Sequence, residues 1–326
     1  MKIHRRSLLQ AATGGFALAH VPSLFAQGAW PQQTIRFIVP FTAGSATDIM
    51  GRTLGQELEK GVRQSVVIDN KPGAGGTLGA AQVATSPGDG YTVLIHSAGH
   101  VANAALYPSL RYDTLRDFTP VTMLATLPNV LVIGPQKQFS SVQDLVAKAK
   151  AQPGKYTYGT AGNGSATHMN AEKFRTAVGI EAVHIPYKGT PEAITEVIGG
   201  RIDWFFAPLV AALPLIKDGK LIALAVGSTK RAPALPNVPT TLEVGYAKSD
   251  YTFWIGAFVS SRTPADIVGR LHDEIVKALG SDSMKERLER LGAEPSPMAQ
   301  PAFAQLVASE TAASAELIKR AGIRAE

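Results

Sequence analysis

The alternation of strand-like and helix-like segments constrains the fold of this chain most strongly. Short apolar runs alternate with amphipathic segments from residue 34 to about residue 226. The first unit is the apolar run from Thr34 to Pro40, followed by a turn and a helix predicted over 46–60. Such alternation is typical of proteins with mainly parallel sheets and helices on both faces. The sequence therefore predicts an α/β fold.

The alternation is interrupted in two places. Two extended runs follow each other directly at 121–127 and 130–133, and a Pro-rich stretch without periodicity covers 228–245. Interruptions of this kind suit segments that cross between two lobes, and 326 residues are enough for two cores. A cleft between two such lobes is the expected ligand site. The predicted division is a first lobe of residues 27–125 and 233–326 and a second lobe of residues 126–232.

The residue composition excludes several classes of function. The chain has no cysteine, which rules out thiol catalysis, cysteine–zinc sites, iron–sulfur clusters and disulfide bonds. Its formal net charge is +6, but three of the basic residues lie in the first six positions. Without them, 29 basic residues stand against 26 acidic ones. This excess is too small and too scattered to predict a nucleic-acid partner.

The first 26 residues are predicted to be an export signal. A basic start with Lys2, Arg5 and Arg6 precedes a run of apolar and small residues, and Ala26 offers a cleavage position. The apolar run is shorter than the roughly 20 residues that a membrane span needs. The Arg5-Arg6 pair also resembles a twin-arginine signal, so both export routes remain open. We therefore expect a periplasmic protein that is soluble after signal removal.

A Gly-containing turn, 40–48, connects the first predicted strand to the first predicted helix. Ser45 and Asp48 are spaced like a capping box, so Ser45 is predicted to start the helix. The amide groups at a helix N-terminus carry partial positive charge and can bind a carboxylate. On residue types alone, a turn that only caps its helix is an equally good interpretation.

A second turn, 158–168, occupies the corresponding place in the second lobe. Its glycines at 159, 162 and 164 let a ligand approach the backbone, and Ser165 or Thr167 can cap the helix that follows. Neither turn is a phosphate-binding P-loop, because neither ends in Gly-Lys-Ser/Thr. Two anion-binding turns from opposite lobes would fit one ligand held between them.

The alternative function is that of a secreted serine hydrolase using Ser97. The segment 95–99 resembles a G-x-S-x-G nucleophile elbow and follows a strand, as that motif requires. Ile95 stands where the strained turn needs glycine, however, and His168, His184 and His272 are equally placed as the base. We therefore predict no catalytic residue, with a structural or adhesive surface protein as a third interpretation.

Two other patterns are interpreted as structural. His96 and His100 have the spacing of metal ligands on a helix, but no third ligand is nearby, and we expect hydrogen-bonded loop histidines. The glycine-rich segment 73–79 misses the dinucleotide motif by one position and is explained by a tight turn. The prediction is accordingly that the protein has neither a cofactor nor a metal site.

Taken together, the turns resemble the Bug family of periplasmic receptors, the solute-binding components of tripartite tricarboxylate transporters. The resemblance runs through nearly the whole chain after residue 26. The matching segments are Pro40-Phe-x-x-Gly44-x-x-x-Asp48, Asn70-Lys-Pro-Gly-Ala-Gly-Gly76, Pro87-Gly-Asp-Gly-Tyr91, Asp117-Phe-Thr-Pro-Val121, Tyr158-Gly-Thr-Ala-Gly-Asn-Gly-Ser165 with His168, Pro186-Tyr-Lys-Gly189, Arg201-Ile-Asp203 and Pro236-x-x-Pro239-Thr240. Two departures are Ser45, where a second glycine is usual, and Asn103-Ala104, where the family has Asn-Pro.

The resemblance implies a type II periplasmic-binding-protein fold, with two α/β lobes hinged by two crossing segments. It further implies that backbone amides, hydroxyl groups and waters of the two turns bind a small organic acid. The implied ligand-binding residues are Phe41, Thr42, Ala43, Gly44, Ser45, Asp48, Ser97, Thr160, Ala161, Gly162, Asn163, Gly164, Ser165, His168, Tyr187 and Asp203.

The expected function is thus that of a receptor that captures a small carboxylate and delivers it to membrane transporter subunits. We expect a monomer. Citrate, malate, aspartate, glutamate and aromatic acids all remain open as ligands, because backbone donors recognise the carboxylate and not the rest of the molecule.

Overall fold

The computed structural model describes residues 30–324, which form two α/β lobes. The strands are β1 (Ile35–Val39), β2 (Val66–Asn70), β3 (Thr92–Ser97), β4 (Phe118–Leu127), β5 (Asn129–Ile133), β6 (Thr157–Thr160), β7 (Val183–Pro186), β8 (Trp204–Pro208), β9 (Ile222–Val226), β10 (Phe253–Ser260) and β11 (Glu294–Pro295). The helices are α1 (Ala46–Val62), α2 (Thr77–Ala84), α3 (Gly99–Leu106), α4 (Val142–Ala151), α5 (Ala166–Val178), α6 (Thr190–Ile198), α7 (Leu209–Lys217), α8 (Ala265–Gly280), α9 (Asp282–Arg290) and α10 (Gln300–Ala321). The predicted α/β class is confirmed.

Both sheets are mixed. The first has the order β11-β4-β10-β3-β1-β2 and the second the order β7-β6-β8-β5-β9. β1 runs parallel to β2 and β3, and β6 runs parallel to β7 and β8. β10 and β5 are antiparallel to both of their neighbours. The expectation of mainly parallel sheets is wrong, because β5 and β10 enter their sheets from the other lobe and not through a crossover helix.

The chain crosses between the sheets at two points that lie close together. Only Pro128 separates β4 in the first sheet from β5 in the second. The Pro-rich stretch after β9 stays on the second lobe: Val226 bridges to Thr240, and Val238 packs in a core cluster of that lobe. The predicted lobe boundary at residue 233 is therefore too early. The return follows at 247–252, where the Tyr251 amide donates to the Gly227 carbonyl at 2.6 Å.

Each lobe has its own core. In the second lobe, Trp204 and Phe206 pack on one face of β8, whereas Phe205 and Ala207 pack on the other. This alternation follows from the two-residue period of a strand. Burial of a phenylalanine side chain contributes about 1.5–3 kcal/mol. Lobes that each bury their own sheet can move relative to one another as rigid bodies.

Helix α3, which directly follows β3, is missed by the sequence analysis and connects the lobes. Its Ala102 and Leu106 pack with Met169 from the second lobe and with Leu317 and Ile318 from α10. None of the helices within residues 30–324 is long and apolar enough to cross a bilayer. The predicted export signal at residues 1–26 lies outside the described residues.

Candidate functional site

Asp48 supports the first turn from inside the first lobe. Its carboxylate accepts hydrogen bonds from the Gly44 amide and the Asn70 side chain, both at 2.9 Å, and pairs with Arg52 at 3.0 Å. Burial raises the pKa of Asp48, but the hydrogen bonds from these three partners outweigh burial and hold that pKa below its usual value. The Asp48 carboxylate therefore holds the turn in its conformation.

Removal of this carboxylate is expected to weaken the whole turn. Asp48→Ala leaves the Gly44 amide without its acceptor and removes one of the two acceptors of the Asn70 side chain, and we expect it to lower the free energy of unfolding by about 2–4 kcal/mol. Arg52→Ala is the matched control, because the Arg52 side chain is half-exposed and its loss costs about 1 kcal/mol or less. Urea unfolding measures both. Equal stabilities of Asp48→Ala and the unchanged protein would contradict this role.

The first turn contacts the second lobe directly. Ser45 is the N-cap of α1, but its hydroxyl does not cap that helix; it accepts a hydrogen bond from the Thr190 amide of the other lobe at 3.2 Å. Thr42 donates to the Glu192 carboxylate at 3.0 Å. The predicted capping box is thus wrong, because both of its side chains have other partners.

The second turn is held from behind by polar side chains. Ser165 caps α5 by accepting from the His168 amide at 3.3 Å, and His168 Nδ1 accepts from the Gly164 amide at 3.1 Å. Thr160 accepts from the Gly162 amide at 3.1 Å and lies 2.6 Å from His184 Nε2. His168 and Thr160 therefore shape the turn and do not line the cavities of the site.

A stack of rings lies under this turn. His168 stacks on His184 at 4.1 Å between centroids, and His184 stacks on Tyr158 at 5.0 Å. Burial lowers the pKa of His168 to about 4 and that of His184 to about 3. Both rings are therefore neutral near pH 7, which leaves the Nδ1 lone pair of His168 free to accept from the turn.

The two turns face each other across one inner cavity. Its volume is about 20 Å³, close to the space that one water needs, so seating a larger group requires the walls to move apart. No charged side chain from residues 30–324 lines it. Six hydroxyl groups and six apolar residues form the wall: Ser45, Thr47, Ser97, Ser165, Thr167 and Thr190, with Phe41, Ala46, Ala161, Ala166, Pro208 and Phe253.

Several helices begin at this inner cavity. Helices α1, α5 and α6 start at the lining residues Ala46, Ala166 and Thr190, and α7 starts directly after Pro208. Each helix N-terminus carries about half a positive elementary charge and free amide groups. These helix ends converge on an uncharged wall of hydroxyl groups. The arrangement favours the binding of a small anion, and a carboxylate is the simplest organic anion.

An outer cavity of about 530 Å³ adjoins the inner one, and Ala161 lines both. The Tyr107 hydroxyl of the first lobe donates to the Asn163 carbonyl of the second lobe at 2.9 Å beside it. The residues that line the outer cavity are Gly73, Ala74, Gly75, Tyr107, Ala161, Gly162, Asn163, Pro186, Tyr187, Lys188 and Glu192. The inner cavity can therefore hold one end of a ligand and the outer cavity the remainder.

Two glycines allow the lobes to meet. A Cβ atom on Gly75 would lie 1.8 Å from the Asn163 carbonyl oxygen, and one on Gly189 would lie 1.9 Å from Thr42 Oγ1. Both contacts run between the lobes. The arrangement is accordingly a closed one, in which any side chain larger than hydrogen at these positions would keep the lobes apart.

Half of the predicted ligand-binding residues line one of the two cavities. These are Phe41, Ser45, Ser97, Ala161, Gly162, Asn163, Ser165 and Tyr187. Those that line neither are Thr42, Ala43, Gly44, Asp48, Thr160, Gly164, His168 and Asp203. Asp203 precedes β8, whose opposite end reaches the inner cavity, and it binds Lys137 at 2.6 Å and the Thr157 amide at 2.7 Å. The prediction for Asp203 is wrong, because it lies at the far end of its strand.

Sequence reasoning missed several lining residues. Thr190 could have been found, because it directly follows the Tyr-Lys-Gly segment and begins a helix. Phe253 begins β10 directly after the return crossing, and Tyr107 follows α3, the helix that was not predicted. No local signal marks these two positions, because only the folded lobes bring them to the cleft.

Ser97 has no histidine partner in the part of the chain that the structure describes. His96 Nδ1 accepts from the Ser97 amide at 2.8 Å, and no histidine bonds to the Ser97 hydroxyl. His96 and His100 are fully buried, and neither ring nitrogen of His100 has a partner within residues 30–324. The expectation of hydrogen-bonded loop histidines is therefore wrong for His100, which lies in α3. No group of three potential metal ligands occurs in that range.

Two lobes that close over an anion-binding cavity define a solute-binding receptor, and the comparisons with known proteins agree. The profile of the "Tripartite tricarboxylate transporter family receptor" family matches residues 50–323. BugT of Bordetella pertussis is 34% identical over 290 residues, which cover 88% of this chain and 89% of BugT. The chain therefore belongs to the tripartite tricarboxylate transporter receptor family, and the resemblance to Bug proteins is confirmed.

Solved structures show the same architecture. R. palustris Rpa4515, solved with adipate, is 35% identical with a TM-score of 0.87, and the match covers 90% of this chain and 99% of that one. MatC from Rhodopseudomonas palustris, solved with bound malate, is 30% identical with a TM-score of 0.85, over 89% of this chain and 100% of MatC. The predicted periplasmic-binding-protein fold with two hinged lobes is confirmed.

Proposed function

We propose that this protein is a periplasmic receptor that captures a small organic carboxylate between its lobes and delivers it to the membrane subunits of a tripartite transporter. The observation that carries the proposal is the inner cavity, where helix N-termini and six hydroxyl groups from both lobes surround an uncharged space. The acids bound to Rpa4515 and MatC are consistent with it. The protein acts as a monomer and catalyses no reaction on its ligand.

The inner cavity suits binding that must be reversed. A buried arginine that pairs with a carboxylate through two hydrogen bonds is roughly twice as strong a partner as a neutral donor. The hydroxyl groups and amides of this cavity are neutral donors, so the ligand can leave once the lobes open. We infer that opening occurs about the two crossings, at 127–129 and 247–252, which join the two lobes.

Native mass spectrometry combined with a thermal-shift screen tests this function. Mass spectrometry of the purified protein is expected to show a small acid that co-purifies with it. In the screen, an acid present at 100 times its Kd should stabilise the folded protein by about 2.7 kcal/mol. The hydrolase alternative replaces this proposal if no organic acid stabilises the protein, and if the unchanged protein hydrolyses esters whereas Ser97→Ala does not.

A further inference from the structure

Within the described part of the chain, residues 30–324, one acidic side chain lines the outer cavity: Glu192, at the start of α6. It is half-buried, and its Oε2 atom accepts a hydrogen bond from Thr42 of the opposite lobe at 3.0 Å. Within residues 30–324 no lysine, arginine or histidine forms an ion pair with Glu192 at 4.0 Å or less, and its Oε1 atom accepts no hydrogen bond. One oxygen of a positioned carboxylate is therefore available to a ligand.

The positively charged side chain on the cavity wall has a weaker electrostatic effect on a ligand than Glu192 has. Among residues 30–324, Lys188 is the one cationic residue that lines the outer cavity, and its side chain is exposed. Exposed charges on flexible side chains are screened by water and salt, whereas a half-buried carboxylate held by a hydrogen bond keeps its position. The fixed charge that faces the outer cavity is therefore negative.

Glu192 lies close to the inner cavity as well. The Ser45 hydroxyl lines that cavity and lies 3.5 Å from Thr42 Oγ1, the same atom that donates to Glu192. A ligand whose carboxylate occupies the inner cavity and whose other end enters the adjoining outer cavity therefore comes close to Glu192. A second carboxylate there meets like charge, whereas an ammonium group meets opposite charge.

We propose that the receptor selects a small carboxylate whose opposite end carries an ammonium group, and that Glu192 rejects dicarboxylates of the same length. This inference rests on the proposed function, since it assumes that a carboxylate occupies the inner cavity. Adipate and malate, the acids bound to Rpa4515 and MatC, each carry two carboxylates, so the inference separates this receptor from those two relatives.

A purely structural role for Glu192 makes a different prediction. An acidic residue in the first turn stabilises a helix, and the bond to Thr42 helps to hold the lobes closed. Loss of such a role would weaken the binding of every ligand by the same factor. A selective role changes the ratio of affinities between amino-terminated and carboxyl-terminated ligands.

Calorimetric titration with matched acids distinguishes the two roles. The probes are dicarboxylates with two to four methylene groups and the ω-amino acids with the same number of methylenes. The unchanged protein should bind the amino-terminated member of the best-bound pair at least about tenfold more tightly. Glu192→Gln keeps an acceptor for Thr42 and should reduce this ratio by about tenfold. Glu196→Gln is the matched control and should change the ratio less than threefold, because Glu196 lies on the same helix but pairs with Arg201 and lines neither cavity.

Each outcome decides between the explanations. Preference of the unchanged protein for the dicarboxylates, or a ratio that Glu192→Gln leaves unaltered, overturns the inference while the carboxylate function stands. If none of these probes and no acid of the thermal-shift screen binds, the carboxylate function itself fails, and the inference fails with it. The midpoint of thermal unfolding of Glu192→Gln, measured in parallel, shows whether the variant is folded.

Discussion

Replacement of Gly189 by alanine is expected to abolish ligand capture while both lobes stay folded. Gly189 has φ −174°, an extended conformation that alanine adopts without strain. The added Cβ would lie 1.9 Å from Thr42 Oγ1 and 2.7 Å from the Ser45 hydroxyl, both in the opposite lobe. Overpacking of this kind costs about 3 kcal/mol or more in the closed state only, so the apparent Kd should rise at least about 100-fold.

Gly269→Ala is the matched control for this change. Gly269 lies in α8, where an added Cβ would have no heavy atom within 4 Å, so ligand affinity and stability should stay unchanged or improve slightly. Calorimetric titration measures affinity, and the midpoint of thermal unfolding measures the fold. Normal ligand binding by Gly189→Ala would show that the closed arrangement is not the binding state.

Acidification below pH 6.5 is expected to destabilise the protein steeply. Burial lowers the pKa of His96 and His184 to about 3 and that of His168 to about 4, and it holds the pKa of His100 well below its usual value. In the unfolded chain these histidines titrate near pH 6.5. Their contribution to stability is therefore complete above pH 6.5 and is lost as the pH falls toward 4. Four such groups give a slope of up to about 5 kcal/mol per pH unit.

Urea unfolding between pH 7.5 and pH 5 measures this slope. His100→Leu removes one titrating group from an aromatic cluster, where His100 contacts Phe118 and Phe258, and should reduce the slope by about 1.4 kcal/mol per pH unit. Leucine fills similar space and leaves no ring nitrogen without a partner. A free energy of unfolding that stays constant over this pH range would contradict the account of neutral buried histidines.

The sequence predicts helices that bury only one face, and it does not predict a helix that is buried on all sides. The helix predicted over 46–60 matches α1, which buries Leu54 and Leu58 and exposes Gln56. Helix α3 was missed because His100, Val101 and Asn103 are all buried, so it shows no polar face. The antiparallel pairing of β5 and β10 depends on which lobe each strand enters, and a single sequence does not carry that information.

Only those features of the site that lie within a single turn were predictable from the sequence. Glycines and hydroxyl residues mark both turns, and Ser45, Ala161 and Ser165 do line the inner cavity. The direction of each side chain depends on contacts between the lobes. Thr42 points to Glu192, 150 positions away, and this contact exists only when the lobes are closed together.

A crystal structure of the protein with its co-purifying acid tests the central claim most directly. We predict that the acid places one carboxylate in the inner cavity, with its oxygens within about 3.2 Å of hydroxyl or amide donors from both Ser45 and Ser165. Both lobes should then contact the same molecule. An acid bound to one lobe alone, or bound outside the inner cavity, would contradict the claim that the two turns together form the receptor site.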